Sequence, residues 1–364
     1  MRKERNMSLD LLRIICMLMV VWFHSFSHGG LFEALIPGSS NWYGASVLHA
    51  FGIVAVNCFV LLSGYFQCTS RFRLKRVASV WAQALVYSVG LYLIVALLAK
   101  EFSVTLMVQS VLVMTTQRYW FVTAYLLMYL VSPFLNCAIR AMDRRKHLAC
   151  CGVLLLVFSV LSNLVYVSDF AYIRGGNGVL WFCILYMVAA YIRLYVPERS
   201  KHRKAIWVYV ACVAVIVGER FAAYHVTTRL LGYCVGDSLF YAYNSVPVTV
   251  AAIALFLAVR AANIKGKGSK IVGFLAPLAF GVYLIHDHPI IRPLLWRWLQ
   301  PTAYVQSVWL VPYWIAYTVG IFVACCAIEW VRQRLFALCG IDAAIGRVSD
   351  WIQKKIVQKL NSRV

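Results

Sequence analysis

The sequence predicts an all-α fold, a polytopic transmembrane helical bundle of about ten spans with both termini cytoplasmic. Three observations carry this. Hydrophobic residues fill 62% of the 364 positions and charged residues only 13%, about half the charge of a typical soluble domain. Mean hydropathy is +0.76. The apolar residues fall into ten runs of 18 to 25 residues, the length that crosses a bilayer as a helix.

In chain order the expected spans are 8–28, 46–67, 77–99, 118–139, 148–167, 179–196, 205–222, 239–260, 271–288 and 307–331. The stretch 101–117 is apolar but short, and reads as a partial or surface helix. Met1-Arg2-Lys3-Glu4-Arg5 resembles a signal n-region, but no small-residue cleavage site follows, so an uncleaved first helix is expected. Residues 1–335 then form one integral membrane domain. Residues 336–364 form a basic tail in which Ile341, Ile345, Val348, Ile352, Ile356 and Leu360 recur at helical spacing, with Lys354, Lys355, Lys359 and Arg363 between them. That pattern predicts an amphipathic helix anchored on the anionic inner leaflet rather than part of a site.

The net charge of +22 is not a nucleic-acid footprint. On the ten-span plan the inner regions hold 26 of the 35 Lys and Arg, in the clusters 71–76, 140–146, 199–204 and 260–270 and at both ends. The outer loops hold seven, and Arg13 and Arg193 lie within spans. This is the positive-inside pattern. Twelve cysteines occur without a C-x-x-C, which fits neither a zinc site nor a disulfide framework.

The first span carries Asp10, Arg13 and His24 in otherwise apolar surroundings. Ionisable groups inside a span are costly and usually functional. Arg13 and His24 are eleven residues apart, close to three turns, so they share one face about 16 Å apart along the axis. A cation at one end and a titratable base further in point to a long ligand with an anionic head and a reactive far end. His28 follows His24 by four residues; an H-x-x-x-H pair can bind metal, but the sequence offers no third ligand beside it, and His28 reads as an outer-interface residue. Arg73 and Arg76, three residues apart in an inner loop, suit a phosphate through forked donors, although a topogenic cluster accounts for their charge equally well. Ser63-Gly64-Tyr65 offers either close helix packing or room for a ligand against the backbone. Trp120-Phe121 reads as interface belt, as do the Trp and Tyr of the outer loops such as Trp42, Trp296 and Trp298, for which a stacking platform for sugar rings is the functional alternative. Tyr283-Leu-Ile-His286-Asp287 is either a second polar site or a hydrated helix end.

Together these residues resemble the acyltransferase-3 family of integral membrane O-acyltransferases. Asp10, Arg13 and His24 match the family's opening pattern, and Arg73 and Arg76 its R-x-x-R. Phe59 to Tyr65 match its F-x-x-x-SG-aromatic pattern, Trp120-Phe121 its W-F, and Tyr283 to His286 its Y-L-x-H. The resemblance spans roughly 8–331. Arg118-Tyr119 stand where the family often has a His or other polar residue before W-F, so no catalytic role is carried over there. The resemblance implies transfer of an acyl group, commonly acetyl, from cytoplasmic acyl-CoA to a hydroxyl of a cell-surface or lipid-linked glycan. It implies that Arg73, Arg76 and Arg13 hold the donor phosphates and that His24 acts as base or acyl carrier. Asp10, Ser63, Gly64, Tyr65, Trp120, Tyr283 and His286 then serve substrate or structure. Acyl-CoA, as acetyl-CoA, is a cosubstrate; no resident cofactor, metal or nucleic acid is expected, and a bacterial plasma membrane is the expected location. The alternative is a transporter or flippase for a glycan or anionic lipid, which predicts paired discontinuous helices in two related halves; no such repeat is visible. A membrane scaffold is a third class, in which changing Arg13 or His24 would affect little beyond folding.

Overall fold

The computed structural model describes residues 6–164, 174–198, 200–236 and 238–361. The basic stretch 1–5, Arg199 and Arg363 lie outside them. The described residues form helices α1 (Met7–Ser27), α2 (Leu31–Ala34), α3 (Ser40–Gly52), α4 (Ala55–Gln67), α5 (Leu74–Ala99), α6 (Val104–Val111), α7 (Trp120–Ala141), α8 (Arg144–Leu155), α9 (Ser162–Leu164), α10 (Val179–Tyr195), α11 (Ala205–Leu231), α12 (Val246–Arg260), α13 (Lys267–Leu275), α14 (Ala279–His286), α15 (Ile291–Leu299), α16 (Leu310–Leu338) and α17 (Ile341–Asn361). No strand occurs among them.

Each of the ten expected segments contains a helix. Six are long and apolar enough to cross a membrane, and the bent pair α13–α14 makes a seventh. The pair bends by 43°, at a break that contains Pro277. The helices α10 and α12 are apolar but shorter. The expected 239–260 span starts late because residues 239–245 turn instead of coiling. Asn244 there donates to Phe158 O (2.9 Å) and Ser162 Oγ (2.8 Å), tying the turn to the segment after α8. Segment 101–117 holds only the eight-residue α6.

The core lies where α1, α4, α10, α12 and α14 meet. The helix α10 is buried nearly all round, through Trp181, Phe182, Leu185, Tyr186, Ala189 and Ala190. Gly64 lets α4 close on it: a Cβ at Gly64 would lie 2.9 Å from Tyr186 Cα. Small residues serve this kind of contact in membrane helices. Outer helices α5, α7, α11 and α16 instead expose apolar side chains such as Ile94, Phe134, Val215 and Val323. That arrangement, apolar outside as well as inside, is expected when the surroundings are lipid.

The start of α1 is fixed locally, since Asn6 Oδ1 accepts from Leu9 N (3.1 Å) and caps the helix. Its far end is fixed by packing. Trp314 Nε1 donates to Ser25 Oγ (3.0 Å), and Trp22 packs on Trp314 with ring centroids 5.3 Å apart. The end of α1 that carries His24 is thereby held against α16.

Candidate active site

Helix α14 delivers the second half of the site. Tyr119 OH donates to Leu284 O (2.8 Å) and fastens α14 to the start of α7. His288 Nε2 bonds Ser88 O (3.2 Å) and fastens the following turn to α5. These two ties leave His286 and Asp287 facing α1. Both are buried, His286 at 1% exposure and Asp287 at 3%, so this is a polar site and not a hydrated helix end.

His24 Nδ1 lies 3.0 Å from His286 Nε2, and His286 Nδ1 lies 2.6 Å from Val282 O. A carbonyl only accepts, so His286 Nδ1 carries its proton and, in the neutral ring, Nε2 is the acceptor. His24 Nδ1 must then be the donor. The nitrogen left with a lone pair on His24 is Nε2. The same Nδ1 lies 3.5 Å from Asp287 Oδ1, which reinforces this tautomer.

Asp287 is shared. Arg292 Nη1, from α15, donates to its Oδ1 at 3.1 Å, and His28 Nε2 approaches the same oxygen at 3.7 Å. His24, His28 and Asp287 each offer one ligand atom within 4.8 Å of the others. The H-x-x-x-H pair thus gains the third donor that spacing alone did not supply. Arg292 Nη1 also lies 3.4 Å from His28 Nε2. A guanidinium on these atoms takes the place that a cation would need, so a metal would have to displace it.

His24 opens onto an apolar chamber of about 60 Å³. Met17, Val20, Phe59, Trp120, Phe121, Tyr243, Phe280 and Tyr283 line it, with the α3–α4 break at Gly52 and Ile53 on one wall. Trp120, Phe121, Tyr283 and His24, distant in sequence, therefore share one space. Trp120 stacks on Tyr243 and Phe121 packs edge-on to Tyr283. Trp120 thus lines the chamber rather than standing as an isolated belt residue.

The remaining sequence candidates lie elsewhere. Arg13 is held by Asp10 at 2.5 Å. Arg73 and Arg76 open α5, are exposed, and form no ion pair among the described residues. Tyr129 OH accepts from Arg73 N (3.2 Å) and donates to Arg73 O (3.3 Å), and Arg76 Nη1 donates to Ser70 Oγ (3.3 Å). No hydrogen bond joins this loop to Arg13 among the described residues. Ser63 Oγ turns back to Phe59 O (2.9 Å), and Tyr65 OH accepts from Arg193 (2.9 Å). Ser63, Gly64 and Tyr65 thus bond or pack within the helices. Of the aromatics near the outer loops of the ten-span plan, Trp42, Tyr43, Phe221 and Tyr224 pack on one another, and Trp42 is buried.

Glu329, on α16, is not among the residues the sequence pattern singles out. Fully buried, it accepts from Arg332 Nη2 (2.7 Å), Tyr87 OH (2.6 Å), Gln83 (3.1 Å) and Gln333 (2.8 Å). A Cβ on Gly281 would strike its carboxylate. An acid inside an apolar run, with Arg332 one turn later, was the available signal.

The fold and site define a class: a helical membrane protein with a largely buried histidine of fixed tautomer at an apolar chamber. A family model described as an acyltransferase domain matches residues 6–330, and the chain belongs to the acyltransferase-3 family. It is an integral membrane acyltransferase, which decides against the transporter and scaffold readings. No match was found among curated proteins or among solved structures.

Proposed function

We propose that this enzyme moves an acetyl group from cytoplasmic acetyl-CoA to a hydroxyl of a cell-surface or lipid-linked glycan, with His24 Nε2 as the base. The observation that carries this is the His24–His286–Val282 hydrogen-bond chain. It leaves Nε2 as the basic nitrogen of a histidine that lines an apolar chamber. In the direct reaction the acceptor hydroxyl gives its proton to Nε2 as its oxygen attacks the thioester carbonyl. The tetrahedral intermediate collapses, the C–S bond breaks, and Nε2 returns the proton to the departing thiolate. A histidine suits both transfers because its ordinary pKa lies near neutrality. An acyl-imidazole route would use the same nitrogen. The imidazolium formed on the way is supported by Asp287, 3.5 Å from Nδ1.

At the other end, Arg73 and Arg76 hold the donor phosphates. Their guanidinium groups are exposed and bound to no carboxylate among the described residues, which supports this role. Arg13 contributes to the same positive region with its charge partly offset by Asp10. A bacterial plasma membrane has cytoplasmic acetyl-CoA on one side and envelope glycan on the other. On the ten-span plan read from the sequence, with both termini inside, Arg73 and Arg76 face the donor side and His24 lies toward the acceptor.

The test is transfer of labelled acetyl from acetyl-CoA in membranes that contain the protein. His24→Ala is expected to lower the rate by about 10²- to 10⁴-fold, the range for loss of a positioned acid–base group. Transfer at the wild-type rate in that variant would remove His24 from the chemistry.

A further inference from the structure

The family match ends at residue 330, yet α17, beyond it, reaches back to the basic loop. Gln353 Oε1 accepts from Leu74 N at 2.8 Å, and its Nε2 donates to Phe72 O at 3.5 Å. One carboxamide therefore grips the backbone on both sides of Arg73. Leu74 begins α5, and its N–H is one of those a helix cannot satisfy internally. Arg73, at the cap position, supplies no side-chain cap. The cap comes instead from a residue 279 positions away.

Tyr129 holds the N–H and C=O of Arg73 itself. Between them, α7 and α17 immobilise the backbone of residues 72–74 while leaving both guanidinium groups exposed. Helices α5 and α17 also pack on each other, with Leu74, Val77 and Trp81 facing Ile345, Val348 and Ile352. Lys75 lies across Gly346, where a side chain would collide with its Nζ.

We infer that α17 is a clamp on this loop, and that Gln353 is a positioning residue which aims Arg73 and Arg76 at the phosphates of the acyl-CoA donor. The inference rests on the donor site proposed above. Forked donors reward a fixed approach, and a preformed loop avoids the ordering cost of binding. The loop does not line the His24 chamber, so loosening it costs donor affinity rather than chemistry.

The test uses the full-length protein purified in detergent, with CoA binding followed by titration calorimetry and donor kinetics followed in parallel. Gln353→Met keeps the length and helix propensity but neither hydrogen bond. It is expected to raise both the CoA Kd and the acetyl-CoA KM about five- to tenfold, the scale of one or two hydrogen bonds, while kcat stays within about twofold. A melting temperature of Gln353→Met in the same detergent close to that of wild type separates lost capping from lost folding. CoA binding that Gln353→Met leaves unchanged, or a fall in kcat as large as the fall in kcat/KM, overturns the clamp alone. A wild-type protein that binds no CoA overturns the donor site, and the clamp with it.

Discussion

His24 and His286 meet across 262 positions of sequence, and this meeting decides which nitrogen is basic. Val282 O fixes the proton on His286 Nδ1, and His286 Nε2 then fixes the proton on His24 Nδ1. His286→Phe removes the acceptor and leaves the His24 ring free to adopt the other tautomer. The expected result is a fall in kcat of about 10- to 100-fold, on the scale of a hydrogen bond to a group that becomes charged. KM for acetyl-CoA should change little, because the Arg73–Arg76 loop is untouched. An unchanged kcat in steady-state assays would show that His286 only fills space. Single residues of this site were legible in the sequence, since an ionisable group in an apolar run stands out. Their partnership was not. No spacing rule links α1 to α14, and Asp287 and Arg292 join the cluster only through the turn that follows α14.

At the level of elements, apolar runs located the helices because the bilayer sets their length and charge sets their ends. Less legible was where a run stops coiling. Asn244 draws residues 239–245 into a turn, and Pro277 lies in the break that divides α13 from α14. Helix-to-helix locks were also hidden. Glu329 joins α16 to α5 through Tyr87 and Gln83, and fits against Gly281 of α14. Glu329→Ala would leave the largely buried Arg332 without its carboxylate and Tyr87 without its acceptor. Breaking a buried pair from one side costs about 3–5 kcal/mol. A marked drop in the melting temperature of the purified protein is expected, with Glu329→Gln falling less because the amide oxygen still accepts. Equal melting of wild type and Glu329→Ala would show that the network is not a lock. The tail illustrates the same difficulty in another form: its periodicity announced an amphipathic helix, but nothing in that pattern said that Gln353 would cap α5.

For the molecule as a whole, the proposed reaction has an anionic donor at one face and a hydroxyl acceptor at the other, with His24 between them. The asymmetry of Lys and Arg was readable at once, and on the ten-span plan it would put Arg73 and Arg76 at the inner face. The measurement that tests this most directly uses sealed inverted membrane vesicles, whose outer surface is the cytoplasmic one. Labelled acetyl-CoA, which does not cross the membrane, is supplied outside, and the acceptor glycan is enclosed within. Label is expected on the enclosed glycan with the wild-type protein, with a loss of about 10²-fold or more with His24→Ala. Label that reaches the glycan only when acetyl-CoA is enclosed with it, or that reaches it equally with His24→Ala, would contradict the account.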